Sequence, residues 1–139
     1  MLRGRSAVAL LAVLIGTAAA CSDGVADPSK NVNETFSGTV EPLSSSGSGI
    51  GQVHSFTVKS SGTWTAVVTA LVPPTNVPFG IVYGQSASGQ CSIVSLNATS
   101  KLNVAGLGGS IPKGSYCIAV YDAGNFTVIE TYTLSVSHP

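Results

Sequence analysis

The stretch VHSFTVKSSGTWTAVVTAL, residues 53–71, decides the fold. Two runs of alternating residues flank a Ser60-Ser61-Gly62 turn. His54, Phe56 and Val58 share one face of the first run, and Trp64, Ala66, Val68 and Ala70 alternate with Thr63, Thr65 and Thr69 in the second. Period two is the signature of a strand with one face against a core and the other in water. Trp64, alternating with small apolar residues, is expected to anchor that core. The Pro73-Pro74 pair ends the run, because proline offers no N–H to a ladder.

The same pattern extends in both directions, cut by Gly, Ser, Pro and Asn clusters at roughly the eight- to twelve-residue spacing of a sandwich or barrel. Strands are expected at 35–40, 53–59, 63–71, 79–83, 91–96, 101–105, 115–121 and from 126 or 131 to 136, with the glycine-rich segment 106–114 as a turn. No amphipathic helix stands out. About eight short strands in one compact domain imply an all-β fold of two packed antiparallel sheets.

The N-terminus has a different grammar. Arg3 and Arg5 precede an apolar run, 7–20, which is shorter than the roughly 20 residues a membrane-spanning helix needs and has the three-part form of a secretory signal. Cys21 follows Ala18-Ala19-Ala20, so it resembles the lipidated cysteine of a bacterial lipoprotein, although Ala18 stands where that pattern favours Leu. Residues 1–20 are therefore expected to be a signal peptide, 21–33 a lipid-anchored tether and 34–139 the sandwich domain. The molecule would then be extracytoplasmic and membrane-anchored, with secretion as a soluble protein as the alternative.

Cysteine usage fits that partition. With Cys21 lipidated, Cys91 and Cys117 remain as an even pair in an oxidising compartment and are expected to form a disulfide at an outer or edge position. Zinc is disfavoured by the absence of a CxxC pair.

Charge narrows the partners. The whole chain balances six basic against six acidic residues at 9% charged, far below the roughly 25% of ordinary domains. From residue 21 onward, four Lys face six acidic groups, which gives no basic footprint for nucleic acid. A catalytic triad would have only His54 or His138 as its base, and there is no GxSxG elbow. His54 reads as a strand-end residue at the core margin and His138 as solvated. No catalytic residue, metal or cofactor is expected.

The segment Tyr121-Asp122-Ala123-Gly124-Asn125-Phe126 is the one candidate site. Its aromatic ring and short polar groups could stack on a sugar or hold a peptide, with Tyr121, Asp122 and Asn125 as ligand-binding residues. The competing reading is a turn in which Asp122 and Asn125 bond the local backbone and Phe126 returns to the core.

Together, GQVHSFTVKSSGTWTAVVTAL and IPKGSYCIAVYDAGNFTVIETYTLSVSHP resemble the bacterial pre-peptidase C-terminal domain. The matching parts are Phe56-Thr57-Val58, the Gly62-Thr63 turn, the Gly114-Ser115-Tyr116 strand entry and the closing Tyr132-Thr133-Leu134. The resemblance implies a jelly-roll-like β-sandwich that serves as a binding or accessory module without a catalytic centre. Some relatives bind calcium, but the acidic segments that do so are replaced here by Asn31-Val32-Asn33-Glu34 and Gly51-Gln52-Val53-His54.

The expected function is a non-catalytic envelope module that binds an extracellular polymer or protein. A structural, protein-docking envelope subunit is the alternative, and a small secreted protease inhibitor a third. Membrane lipid is the expected partner of Cys21. In a bacterial host, Cys21→Ala should abolish fatty-acid labelling and release the protein from membranes, and unchanged membrane association would refute lipidation.

Overall fold

The computed structural model describes residues 26–45 and 48–139. The expected signal peptide and Cys21 lie outside the described residues. Eight strands follow in chain order: β1 (Val32–Val40), β2 (His54–Val58), β3 (Gly62–Val72), β4 (Phe79–Ala87), β5 (Gln90–Ser100), β6 (Ala105–Ile111), β7 (Gly114–Tyr121) and β8 (Glu130–His138). Short 3-10 turns occupy Pro28–Lys30 and Leu43–Ser45.

These strands form two four-stranded antiparallel sheets in the orders β1-β8-β3-β6 and β2-β7-β4-β5. That is the jelly-roll arrangement, an all-β sandwich with two interleaved Greek keys. The alternation in residues 53–71 explains the layering. Phe56, Val58, Trp64, Ala66 and Val68 are all buried between the sheets, while Ser55, Thr57, Thr63 and Thr65 face water. The aromatic centre joins both sheets: Phe56 packs on Trp64 and Tyr116 with ring centroids 6.1 and 5.7 Å away, and Trp64 meets Tyr83 at 4.6 Å. Such offset pairs add to the burial of large apolar surface.

The structure departs from the sequence expectation in several places. Residues 101–104 turn, and the glycine-rich segment expected to turn is strand β6. Glycine is required here by close approach, since a Cβ on Gly108 would stand 2.8 Å from the Trp64 carbonyl oxygen. Strands β4 and β5 run longer than expected, and β8 begins at Glu130 and continues past the expected end to His138. The fold also begins earlier. Val32 already pairs with His138, and the segment before it is fastened by an Ala26 N–H to Ser61 O bond of 2.8 Å and an Asn31 Nδ2 to Thr63 O bond of 2.9 Å. His138, expected to be solvated, is 3% exposed, because the Phe56 ring lies against it at 5.2 Å and Glu34 accepts from its Nε2 at 2.8 Å.

Cys91 and Cys117 form the expected disulfide. Cys117 lies on β7 between inward-facing Tyr116 and Ile118, and so points to the outer face. β4 separates β7 from β5, which in a flat sheet would set the two strands roughly 9–10 Å apart. The Cα atoms of Cys91 and Cys117 are only 5.8 Å apart. The β4–β5 hairpin must therefore curl over the outer face toward β7. The curl falls where the register slips between Tyr83 and Gly84, and where a Cβ on Gly84 would collide with the Ser92 carbonyl.

Both sheets, the core and the disulfide lie within residues 26–139. Replacing both cysteines by serine should lower stability by roughly 2 to 5 kcal/mol in chemical denaturation while the all-β circular dichroism persists. An unchanged unfolding midpoint would show that the cross-link carries no stabilisation.

Candidate functional site

The two outer faces of the sandwich differ in chemistry. On the β1-β8-β3-β6 sheet, the ladder places Thr35 opposite Ser135, Ser37 opposite Thr133 and Thr39 opposite Thr131, and β3 adds Thr63, Thr65 and Thr69. This face is a lawn of hydroxyls. The other sheet presents Tyr121 from β7, Val82 from β4, and Ile93 and Leu96 from β5, with Ile50 bridged beside Tyr121.

Ile50, Val82, Ile93, Leu96 and Tyr121 line a shallow groove of about 160 Å³. Its rim is well exposed, with Ile50 at 53%, Ile93 at 64% and Leu96 at 56%. Ile93 and Leu96 of β5 form one side of it, beside Val82 of β4. The floor depends on Gly80. A Cβ there would collide with the ring of Tyr121, so the absence of a side chain lets the phenol lie flat on the sheet. Burial raises the Tyr121 pKa and keeps the hydroxyl neutral at physiological pH. Side chains of carbon dominate the groove.

Of the three residues expected to bind ligand, only Tyr121 faces this groove. Asp122 is 3% exposed and is consumed by the fold. Its Oδ1 accepts from the backbone N–H groups of Gly124, Asn125 and Phe126 at 2.8, 2.8 and 3.0 Å, and its Oδ2 accepts from Leu43 N at 2.9 Å. Burial alone would raise its pKa, but the four donors from Leu43, Phe126, Asn125 and Gly124 outweigh that and hold it below the usual carboxylate value. Asn125 donates to the Pro78 carbonyl at 3.0 Å. The turn reading of this segment therefore holds for Asp122, and Phe126 is in the core, but the Asn125 side chain reaches the distant Pro78 segment instead of the local backbone. The aliphatic rim on β5 was missed by sequence reasoning. Its only signal is Ile93-Val94 and Leu96 in a strand that is otherwise mostly polar.

The remaining titratable groups are structural. The Tyr132 hydroxyl lies 3.1 Å from Gln52 O and 2.7 Å from His54 Nε2, and its single proton can be given to only one of them. Burial pushes the Tyr132 phenol up to about 12 and lowers the His54 pKa. Glu130 is 3% exposed with Oε2 unpartnered, and burial raises its pKa. Among the described residues, no group of three or more His, Cys, Asp or Glu could hold a metal ion. No helix among them is long and apolar enough to cross a membrane.

Compared with known proteins, the chain matches no family model and no curated sequence. The resemblance to the pre-peptidase C-terminal domain therefore rests on the quoted motifs.

Asp122→Ala strips one acceptor from four backbone donors and should cost about 3 kcal/mol or more in denaturant unfolding at neutral pH. Because the folded-state pKa is depressed, this stabilisation is present above the unfolded value of roughly 3.9 and is lost as pH falls through the lower folded value. The gap between wild type and variant should close over that acid range, and a gap independent of pH would contradict the charged-hub assignment.

Proposed function

We propose that this chain is a non-catalytic, extracytoplasmic binding module whose ligand is an apolar segment of a protein. The observation that carries this reading is the asymmetry of the two outer faces: one bears hydroxyls, and the other bears a carbon-lined groove with an exposed aliphatic rim. Exposed aliphatic clusters on a soluble fold mark interaction sites. Lipidation of Cys21 would hold the module on a membrane, and the disulfide fits an oxidising compartment.

The groove chemistry favours protein over polysaccharide. A sugar site pairs an aromatic platform with hydrogen-bonding groups for hydroxyls, and here Asp122 and Asn125 are already bonded to backbone. A protease inhibitor would display a loop into an enzyme cleft. The segment closed by Cys91 and Cys117 is instead folded into β5, β6 and the first half of β7. An accessory role agrees with what the resemblance to pre-peptidase C-terminal domains implies.

Photocrosslinking in living cells tests the assignment. A photoreactive residue at Leu96 should trap a protein, one at Thr133 on the hydroxyl face should not, and a soluble-glycan panel should produce no thermal shift. Equal trapping from both faces, or a saturable glycan shift, would overturn it.

A further inference from the structure

We infer that the Cys91–Cys117 disulfide is a thiol-operated clamp: a dithiol reductant opens it, frees the arm of the β4–β5 hairpin and thereby alters the groove. The inference rests on the binding reading above, because the groove is what the clamp regulates. The two cysteines stand on the strands that form its two sides. Cys91 shares β5 with Ile93, Cys117 shares β7 with Tyr121, and Val82 of β4 lies between those strands.

The cross-link does not join lateral neighbours. In the ladders Cys117 lies opposite Gly84, whose own partner on β5 is Ile93, whereas Cys91 lies opposite Ser86. The bond therefore runs diagonally past Gly84, a position without a side chain. In a flat sheet that diagonal would exceed the roughly 9–10 Å between strands two places apart, yet the Cα atoms are 5.8 Å from one another. A closed disulfide holds the arm in this bent form.

Little else fastens the arm to the body. It runs from Gly84 to Ile93 around a turn at Ser88-Gly89, where φ is 52° and 77°. Pairing of β4 with β7 stops at Gln85, so Ser86 and Ala87 have only β5 beside them. No residue from 84 to 93 belongs to the core cluster. The arm meets the body where the register slips between Tyr83 and Gly84, with Val94 as the extra residue on β5. A bulge interrupts the ladder there and serves as a pivot. Segments with few buried contacts are the ones that open locally.

The two halves of the disulfide differ in access. Cys91 lies in the exposed part of β5, whereas Cys117 is 1% exposed. A thiolate of the reductant therefore attacks the Cys91 sulfur, the S–S bond breaks, and Cys117 leaves with the electron pair and takes up a proton. The second thiolate of the reductant then displaces Cys91 from the mixed disulfide. Two electrons pass to the protein, which gains two thiols, and the dithiol becomes a disulfide.

Amide exchange of the full chain before and after native reduction with dithiothreitol tests the clamp. Exchange from Gly84 to Ile93 should rise by about tenfold or more on reduction, while amides of β3 and β8 keep their protection. A monothiol should be captured on Cys91 and not on Cys117. Unchanged exchange in the arm overturns the inference, and so does an equal rise in β3 and β8, which a merely stabilising cross-link would give. A disulfide that stays closed in the folded protein yet opens in denaturant overturns it as well. Control of the groove is read from a photoreactive residue at Leu96, with both cysteines intact or with Cys91→Ser and Cys117→Ser together. Trapping should fall by about tenfold in the serine background. Equal trapping in both backgrounds overturns the control and leaves the binding reading standing, whereas trapping in neither overturns the binding reading itself.

Discussion

One covalent constraint shapes the β2-β7-β4-β5 sheet: Cys91 and Cys117 are tied across an intervening strand. Strands two places apart in a sheet do not bring their Cα atoms to 5.8 Å unless the sheet folds on itself. The β4–β5 hairpin does so, at the register slip beside Gly84. The curl shields Cys117, which is 1% exposed although it points away from the core. Ile93 and Leu96 of the same strand, β5, form one wall of the groove. The apolar site is thus a product of backbone geometry held by a cross-link, while the opposite wall comes from the bridge between Ile50 and Tyr121.

Much of the fold was legible because its strands obey strict alternation. Phe56, Val58, Trp64, Ala66 and Val68 alternate with polar residues in the sequence, and all are buried. What escaped was non-local. β6 reads as a turn because Gly106, Gly108 and Gly109 suggest one. They belong to an edge strand, and Gly108 in particular must lie close to the β3 backbone. His138 reads as a solvated end because no local pattern announces the Phe56 ring or the Glu34 carboxylate, 104 residues away, that cover and bond it.

The candidate site divided in the same way. The chemistry of Tyr121-Asp122-Ala123-Gly124-Asn125-Phe126 is consistent with both a turn and a ligand site, and the structure separates the two roles residue by residue. Asp122 gathers the backbone of its own turn and of the Leu43 segment into one hub, and so fixes the loops at that end. Tyr121 points the other way, onto Gly80. The groove could not be read from sequence because its lining comes from Ile50, from β4, β5 and β7, and from a hairpin curl that only the three-dimensional cross-link creates.

The pairing of Val32 with His138 has an architectural consequence. The chain enters and leaves the sandwich side by side, at the pole where Ala26 meets Ser61 and Lys59 N–H meets Pro139 O. The Asp122 hub and the Ile50–Tyr121 corner of the groove sit at the opposite pole, beyond the length of β7. Whatever is fused to either end is therefore attached at one point, and the module behaves as a plug-in unit. It can be appended to, or spliced within, a larger polypeptide while its groove points away from the join.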